Sequence, residues 1–231
     1  MNEGLWKVIQ KLESIDNQMA KVLSKMDRVV KLKVFTSLTS DGYHQCPACE
    51  DTVSLLKEMA AAANGKIEWE EISIIDEKDR AESEYGVQRA PTILINDGTI
   101  RYTGAPIGLE LAPFIQTVLM VSTGQSLLGD LVDDRVKQIR KKAKLTLVVT
   151  PNCPYCAQTA LIENSLALIS KNINVEIVES YENPDIARKY EVSAVPVTII
   201  NETKKITGVP NVAFLISQML DDRAKLAELY G

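Results

Sequence analysis

All four cysteines of the 231-residue chain fall into two pairs of identical spacing, Cys46-Pro47-Ala48-Cys49 and Cys153-Pro154-Tyr155-Cys156, whose first members lie 107 positions apart. Thiols three residues apart can exchange a disulfide with another molecule if one of them is held as thiolate. A cysteine at a helix N-terminus meets unsatisfied backbone N–H groups and the positive end of the helix dipole, both of which favour the anion. In such pairs the pKa drops from about 8.5 into the range of roughly 3.5 to 7.5. Cys46 and Cys153 are therefore the expected nucleophiles. Cys49 and Cys156, one turn further in, are placed to attack a mixed disulfide and release the partner. Pro47 and Pro154 need no N–H partner in a first helical turn, so they predict helices starting at the first sulfur of each pair.

A permanent bridge or half of a zinc site is the other use of such a pair. Zinc sites of this kind set their pairs roughly 15 to 20 residues apart, whereas 103 residues separate Cys49 from Cys153. No metal is expected, and the redox-active disulfides themselves would carry the electrons without an added cofactor.

The elements that position the pairs come from an internal duplication. Residues Tyr85–Asn96 (YGVQRAPTILIN) align without gaps on Tyr190–Asn201 (YEVSAVPVTIIN) at an offset of 105, and Thr103–Pro106 (TGAP) answers Thr207–Pro210 (TGVP) at 104. In each half an apolar strand precedes the cysteines, at Leu32–Thr36 and Leu145–Thr150, and a helix follows them. Then come an alternating strand, a polar helix, a strand led by proline, a short turn, a further strand and a closing helix. The order is βαβ, a helix, then ββα, twice over. The polar stretch Ser122–Ser126 divides the chain into units 1–122 and 123–231. An additional helix precedes each first strand. The N-terminal one carries Leu5, Val8, Ile9, Leu12, Ile15, Met19, Val22, Leu23 and Met26 on one stripe, which either caps its own sheet or, with Trp6, forms a homo-oligomer contact.

The pairs after a strand, the prolines Pro91 and Pro196 some 43 to 45 positions later, and the ββα finish resemble the thioredoxin and glutaredoxin fold. Two such units in tandem, with CPAC and CPYC motifs and the RAPT and AVPV segments, are similar to the protein disulfide oxidoreductases of archaeal and bacterial thermophiles. The resemblance implies an α/β fold with two central mixed β-sheets flanked by helices, and thiol-disulfide oxidoreductase activity on protein substrates. It also implies cis-prolines at Pro91 and Pro196. The backbone of Ala90 and Val195 would then pair with an extended substrate segment, and a thioredoxin-reductase-like flavoprotein would supply electrons. Two alternatives stand beside it: an electron-carrier domain that reduces a peroxiredoxin, and a chaperone-like binding module for unfolded chains with incidental thiols.

The two sites need not be equal. Glu50 and Asp51 follow CPAC directly and oppose a thiolate at Cys46, whereas Ala157 and Gln158 follow CPYC. Cys153 is accordingly expected to be the more acidic thiol. Pro47, Pro154 and Tyr155, inside the motifs, modulate the pairs; His44 is either an exposed loop residue or, if protonated, a counterweight to the acidic pair. No acid takes the place that thioredoxins give a buried carboxylate, where the second half has Leu147 and Val148. Neither Gly104-Ala105 nor Gly208-Val209 reproduces the glycine pair of a glutathione-binding glutaredoxin, so glutathione dependence is not expected.

Composition narrows the rest. With 45% hydrophobic and 25% charged residues the chain reads as globular, and a net charge of −5 without a basic block speaks against nucleic acid or an anionic membrane surface. The longest apolar runs are strand-sized, and the N-terminus lacks a secretory pattern, so a cytoplasmic address is expected. There thiols are kept reduced unless the disulfide is catalytic or the organism is a hyperthermophile. Eleven Asn and nine Gln are no depletion, so composition does not decide whether the source is a thermophile.

Overall fold

The computed structural model describes residues 17–220. The elements of the first half are β1 (Val30–Thr36), α1 (Cys49–Ala62), β2 (Ile67–Ser73), α2 (Lys78–Tyr85), β3 (Thr92–Ile95), β4 (Ile100–Thr103) and α3 (Leu111–Thr123). Those of the second are α4 (Asp130–Val136), β5 (Ala143–Val149), α5 (Pro154–Ile169), β6 (Ile173–Glu179), α6 (Pro184–Lys189), β7 (Val197–Ile200), β8 (Lys204–Thr207) and α7 (Val212–Met219). Most of the N-terminal stripe, the expected oligomer contact included, lies outside the described residues. Its described end is helical over 17–23 and buries Met19 and Leu23 in the core.

The strands follow from their composition. Those that are apolar throughout are central and covered on both faces: TILI of β3 and VTII of β7 are buried at every position. KKIT of β8 is exposed or half-buried along its length and forms an edge, where lysines discourage further pairing. Both hairpins turn on residues that tolerate a left-handed backbone: Asn96 and Asp97 have φ of 52° and 54°, and Asn201 and Glu202 have 48° and 61°.

Among the described residues eight strands form one sheet in the order β2-β1-β3-β4-β6-β5-β7-β8. The two four-stranded mixed sheets meet where β4 pairs in parallel with β6, from Ile100 opposite Val175 to Thr103 opposite Val178. One hydrophobic cluster runs through both halves, and α3 packs on α5 across the junction. Within that contact Asn164 of α5 donates to Tyr102 Oη at 3.0 Å and to Thr117 Oγ1 at 2.9 Å. The repeats share one core.

This topology sets the orientation of the cysteine pairs. β1 and β4 run parallel, β4 and β6 are parallel neighbours, and β6 and β5 likewise, so β1 and β5 point the same way. The pairs that follow them therefore open on the same edge of the sheet. Four strand spacings of about 4.8 Å separate β1 from β5, placing the two strand ends about 19 Å apart.

Candidate active sites

Both pairs are disulfide-bonded, with Cα–Cα distances of 5.4 Å for Cys46–Cys49 and 5.2 Å for Cys153–Cys156. In each pair the first cysteine is the more exposed. Cys46 is half-buried and Cys49 is 0% exposed; Cys153 retains 9% and Cys156 retains 0%. This asymmetry suits attack by the first cysteine and resolution by the second.

The local frames differ. Cys153 is the N-cap of α5, with Pro154 in the first turn, and its Sγ accepts the Cys156 N–H at 3.1 Å. That bond, together with the dipole of a 16-residue helix, favours negative charge on the sulfur. In the first half the expected helix start at Cys46 is corrected. The helix begins at Cys49 with Ala48 as its N-cap, and Pro47 and Ala48 lie in a turn closed by Cys49 N–H to Cys46 O at 3.2 Å. The cause is the longer preceding loop. Its first residue, Ser37, takes the Cys46 N–H on Oγ at 2.5 Å and leaves Oγ 3.9 Å from Cys49 Sγ. Cys46 thus sits a turn outside its helix, with Glu50 and Asp51 exposed behind it.

His44 is not an exposed loop residue. It bridges to Leu38, is half-buried, and has Nε2 2.7 Å from Glu71 Oε1, which also accepts from Thr36 Oγ1 at 2.6 Å. Its ring is thus engaged by β2.

The Ala90–Pro91 and Val195–Pro196 peptide bonds are both cis. Both prolines are buried, Ala90 and Val195 half-buried. Ala90 lines a pocket of about 260 Å³ together with Cys46. Pro91 O and Pro196 O accept from Gly104 N–H and Gly208 N–H at 2.9 and 2.8 Å, tying each loop to the end of its hairpin. Tyr155 stands exposed between the second pair of sulfurs.

Two buried acids escape a reading of motifs and spacing. Glu110 ends the short turn Gly108–Glu110 of the first half, yet that turn packs on α5 of the second. Leu109 N–H donates to Pro151 O at 2.7 Å. Gly108 has φ 62°, and a Cβ there would stand 2.5 Å from Pro151 O, so only glycine permits this approach. Glu110 is 2% exposed and neither carboxylate oxygen has a hydrogen-bond partner. Burial and the nearby Glu179 charge push its pKa up to about 7. An acid inside the otherwise apolar run GLELAPFIQTVLMV is the available signal, and it does not say which half the acid serves.

Glu163, on the sheet side of α5, is 0% exposed, accepts from Thr198 Oγ1, and is pushed up to about 8 by burial. An unfolded glutamate loses its proton near 4.5, so between about pH 4.5 and 8 the folded state holds more protons and stability falls as pH rises. At pH 7 this costs about 3 kcal/mol. Glu163→Gln keeps an acceptor for Thr198 and is expected to be more stable than the parent at pH 8 by about 2 kcal/mol, with the advantage gone at pH 5. Denaturant unfolding at both pH values measures it, and an advantage independent of pH would contradict it.

Among the described residues no group of three His, Cys, Asp or Glu could hold a metal ion, and no helix is long and apolar enough to cross a membrane. The thioredoxin domain family matches residues 42–116 and again 144–220. Thioredoxin of Methanocaldococcus jannaschii is 32% identical over 76 residues, covering 32% of this chain and 89% of that protein. The solved protein disulfide oxidoreductase of Aeropyrum pernix is 28% identical with a TM-score of 0.80, covering 90% of this chain and 91% of its own. The alkylhydroperoxide reductase component AhpF of Enterococcus faecalis shares the fold, at 22% identity and a TM-score of 0.79 over 90% of this chain and 98% of that one. With both cysteine pairs in place on a duplicated frame, the chain belongs to the thioredoxin domain family, as a tandem thiol-disulfide oxidoreductase.

Proposed function

We propose that the protein is a dithiol-disulfide oxidoreductase acting on protein substrates through mixed disulfides at both sites. The observation that carries this is the arrangement repeated twice: a disulfide whose first cysteine is the more exposed, on a frame that also holds a buried cis-proline. In the reducing direction the Cys46 or Cys153 thiolate attacks a substrate disulfide and expels one substrate sulfur as thiolate, which takes up a proton. Cys49 or Cys156 then loses its proton and attacks the mixed disulfide. The substrate leaves reduced by two electrons, and the protein pair is left as a disulfide. The reverse sequence oxidises, and two sites permit isomerisation. Glu110 sits on the turn that packs against α5 and bonds to Pro151 O, two residues before Cys153, and both its oxygens are buried without a partner; with its pKa pushed up to about 7 it is the group we assign to accept the Cys156 proton. The cysteine pairs are the only electron store this chemistry needs, and a thioredoxin-reductase-like flavoprotein is the donor we assign.

Ala90 and Val195 present backbone to an extended substrate strand, a mode that reads little sequence. Electron delivery to a peroxiredoxin is the second reading, prompted by the fold shared with the E. faecalis reductase component.

Insulin reduction by dithiothreitol tests the assignment. The parent is expected to accelerate B-chain precipitation, Cys153→Ser/Cys156→Ser to lose most of that acceleration, and the fourfold serine variant all of it. Suppressed precipitation that survives loss of all four cysteines would make the protein a binding module instead.

A further inference from the structure

The surfaces around the two pairs differ in the groups that the other half of the chain adds to each. At the second site Ile107 and Leu109 come from the first half, held there by the Leu109 N–H bond to Pro151 O. They are 45% and 46% exposed, and Tyr155 is 64%. The residues before the cis-proline are Ala194 and Val195, also apolar. Ile107, Leu109 and Tyr155 thus leave large apolar groups exposed beside Pro151 and the second cysteine pair, a costly arrangement for a protein with no ligand there.

At the first site Ile74 lines the pocket, but the groups that the second half adds to it are polar. Beside Cys46 and Ala90 its pocket of about 260 Å³ is walled by Glu182 and Asn183 of the second half. Arg89, the cation in that wall, is already engaged by Asp185, at 3.0 Å through Nη1 and 2.5 Å through Nη2. Glu182 is different. One oxygen accepts Ala105 N–H at 2.9 Å; partial burial, and after it the like charge of Glu179, push its pKa up, a cost that a docked cation relieves. Glu50 and Asp51 add to the negative field around Cys46.

We propose that the two pairs divide their polypeptide substrates by the residues flanking the substrate cysteine. The second site takes cysteines flanked by large apolar side chains, which settle on Ile107, Leu109 and Tyr155. The first takes cysteines flanked by lysine or arginine, whose charge meets Glu182. The occupant in both cases is an extended segment anchored by its own sulfur, with backbone on Ala90 or Val195. This rests on the disulfide-exchange reading above.

The test uses two single-site proteins, Cys46→Ser/Cys49→Ser and Cys153→Ser/Cys156→Ser, each pre-reduced. The probes are hexapeptides with one central cysteine as the mixed disulfide of thionitrobenzoate, flanked by Lys, Glu, Leu or Ser. Each turnover oxidises the protein dithiol to a disulfide and releases peptide thiol and coloured thionitrobenzoate.

The protein retaining the first site is expected to prefer Lys over Glu flanks by about fivefold, a difference of about 1 kcal/mol. Glu182→Gln should at least halve that ratio and Glu182→Lys should invert it, and the ratio should shrink with added salt. The protein retaining the second site is expected to prefer Leu over Ser flanks by about fivefold, on the area a leucine buries, and Leu109→Ser or Ile107→Ser should erode the preference. Identical rankings at both sites, or a Lys-to-Glu ratio indifferent to Glu182→Lys, would overturn the division and leave disulfide exchange standing. If neither protein releases thionitrobenzoate, the exchange reading falls and the division with it.

Discussion

Cys156→Ser is expected to turn the second site from a catalyst into a trap. Cys153 would still attack a substrate disulfide, but no neighbouring thiolate could displace it, so a covalent complex should accumulate that reductant dissolves. Cys153→Ser should yield no such complex, and turnover at that site should fall on the order of 10³-fold or more, as when a nucleophile is removed. Non-reducing electrophoresis in the Cys46→Ser/Cys49→Ser background distinguishes these outcomes. Complexes formed equally by both variants would abolish the assigned order of attack, and complexes formed by Cys153→Ser alone would reverse it. Cys49→Ser and Cys46→Ser should behave likewise at the first site. The trap variants also rank the nucleophiles. Cys153 caps α5 and accepts the Cys156 N–H, whereas Cys46 lies a turn outside its helix beside two acids. Alkylation rate against pH should therefore show Cys153 ionising at the lower pH, and the opposite order would remove the claimed advantage of the cap.

Glu110→Gln is expected to slow the release of substrate from the second site by about 100-fold at pH 7, the lower end of what general base catalysis contributes. The side chain stays the same size but no longer takes a proton. The parent rate should rise with pH through about 7, where Glu110 ionises. In the variant the rise should move toward the ordinary thiol value of about 8.5. Single-turnover kinetics on the Cys46→Ser/Cys49→Ser protein measure this directly. An unchanged profile would make Glu110 a buried acid with no part in the chemistry. Stability should move the other way. The folded protein retains this proton above the usual glutamate range, so between pH 4.5 and about 7 the parent loses stability and the glutamine variant is spared. A slower but more stable enzyme is the combined signature.

The strands, the repeat and the cis-proline loops are legible in the chain because their signals are short in range. An all-apolar VTII states that both faces are covered, CxxC after an apolar strand states where a helix follows, and the aligned YGVQRAPTILIN and YEVSAVPVTIIN segments state the register. The start of α1 is not legible in this way, because a proline after cysteine fits a first helical turn and a non-helical turn equally well. A bond from Cys46 N–H to Ser37 Oγ, nine residues upstream, decides for the turn. The burial of His44 is hidden for a similar reason: its partner Glu71 is on β2, 27 positions away, and becomes a neighbour only because β1 and β2 pair in parallel.

By itself the sequence determined the chemistry and the two frames that carry it, since motif spacing and hydrophobic period act over a few residues. Tertiary structure alone decided that β4 and β6 join the halves into one sheet, that Glu110 of the first half lies against α5 of the second, and that Glu182 of the second walls the pocket of the first. These pairings depend on which backbone edges meet and how closely Gly108 can approach Pro151, and nothing periodic along the chain records a contact made between its two halves.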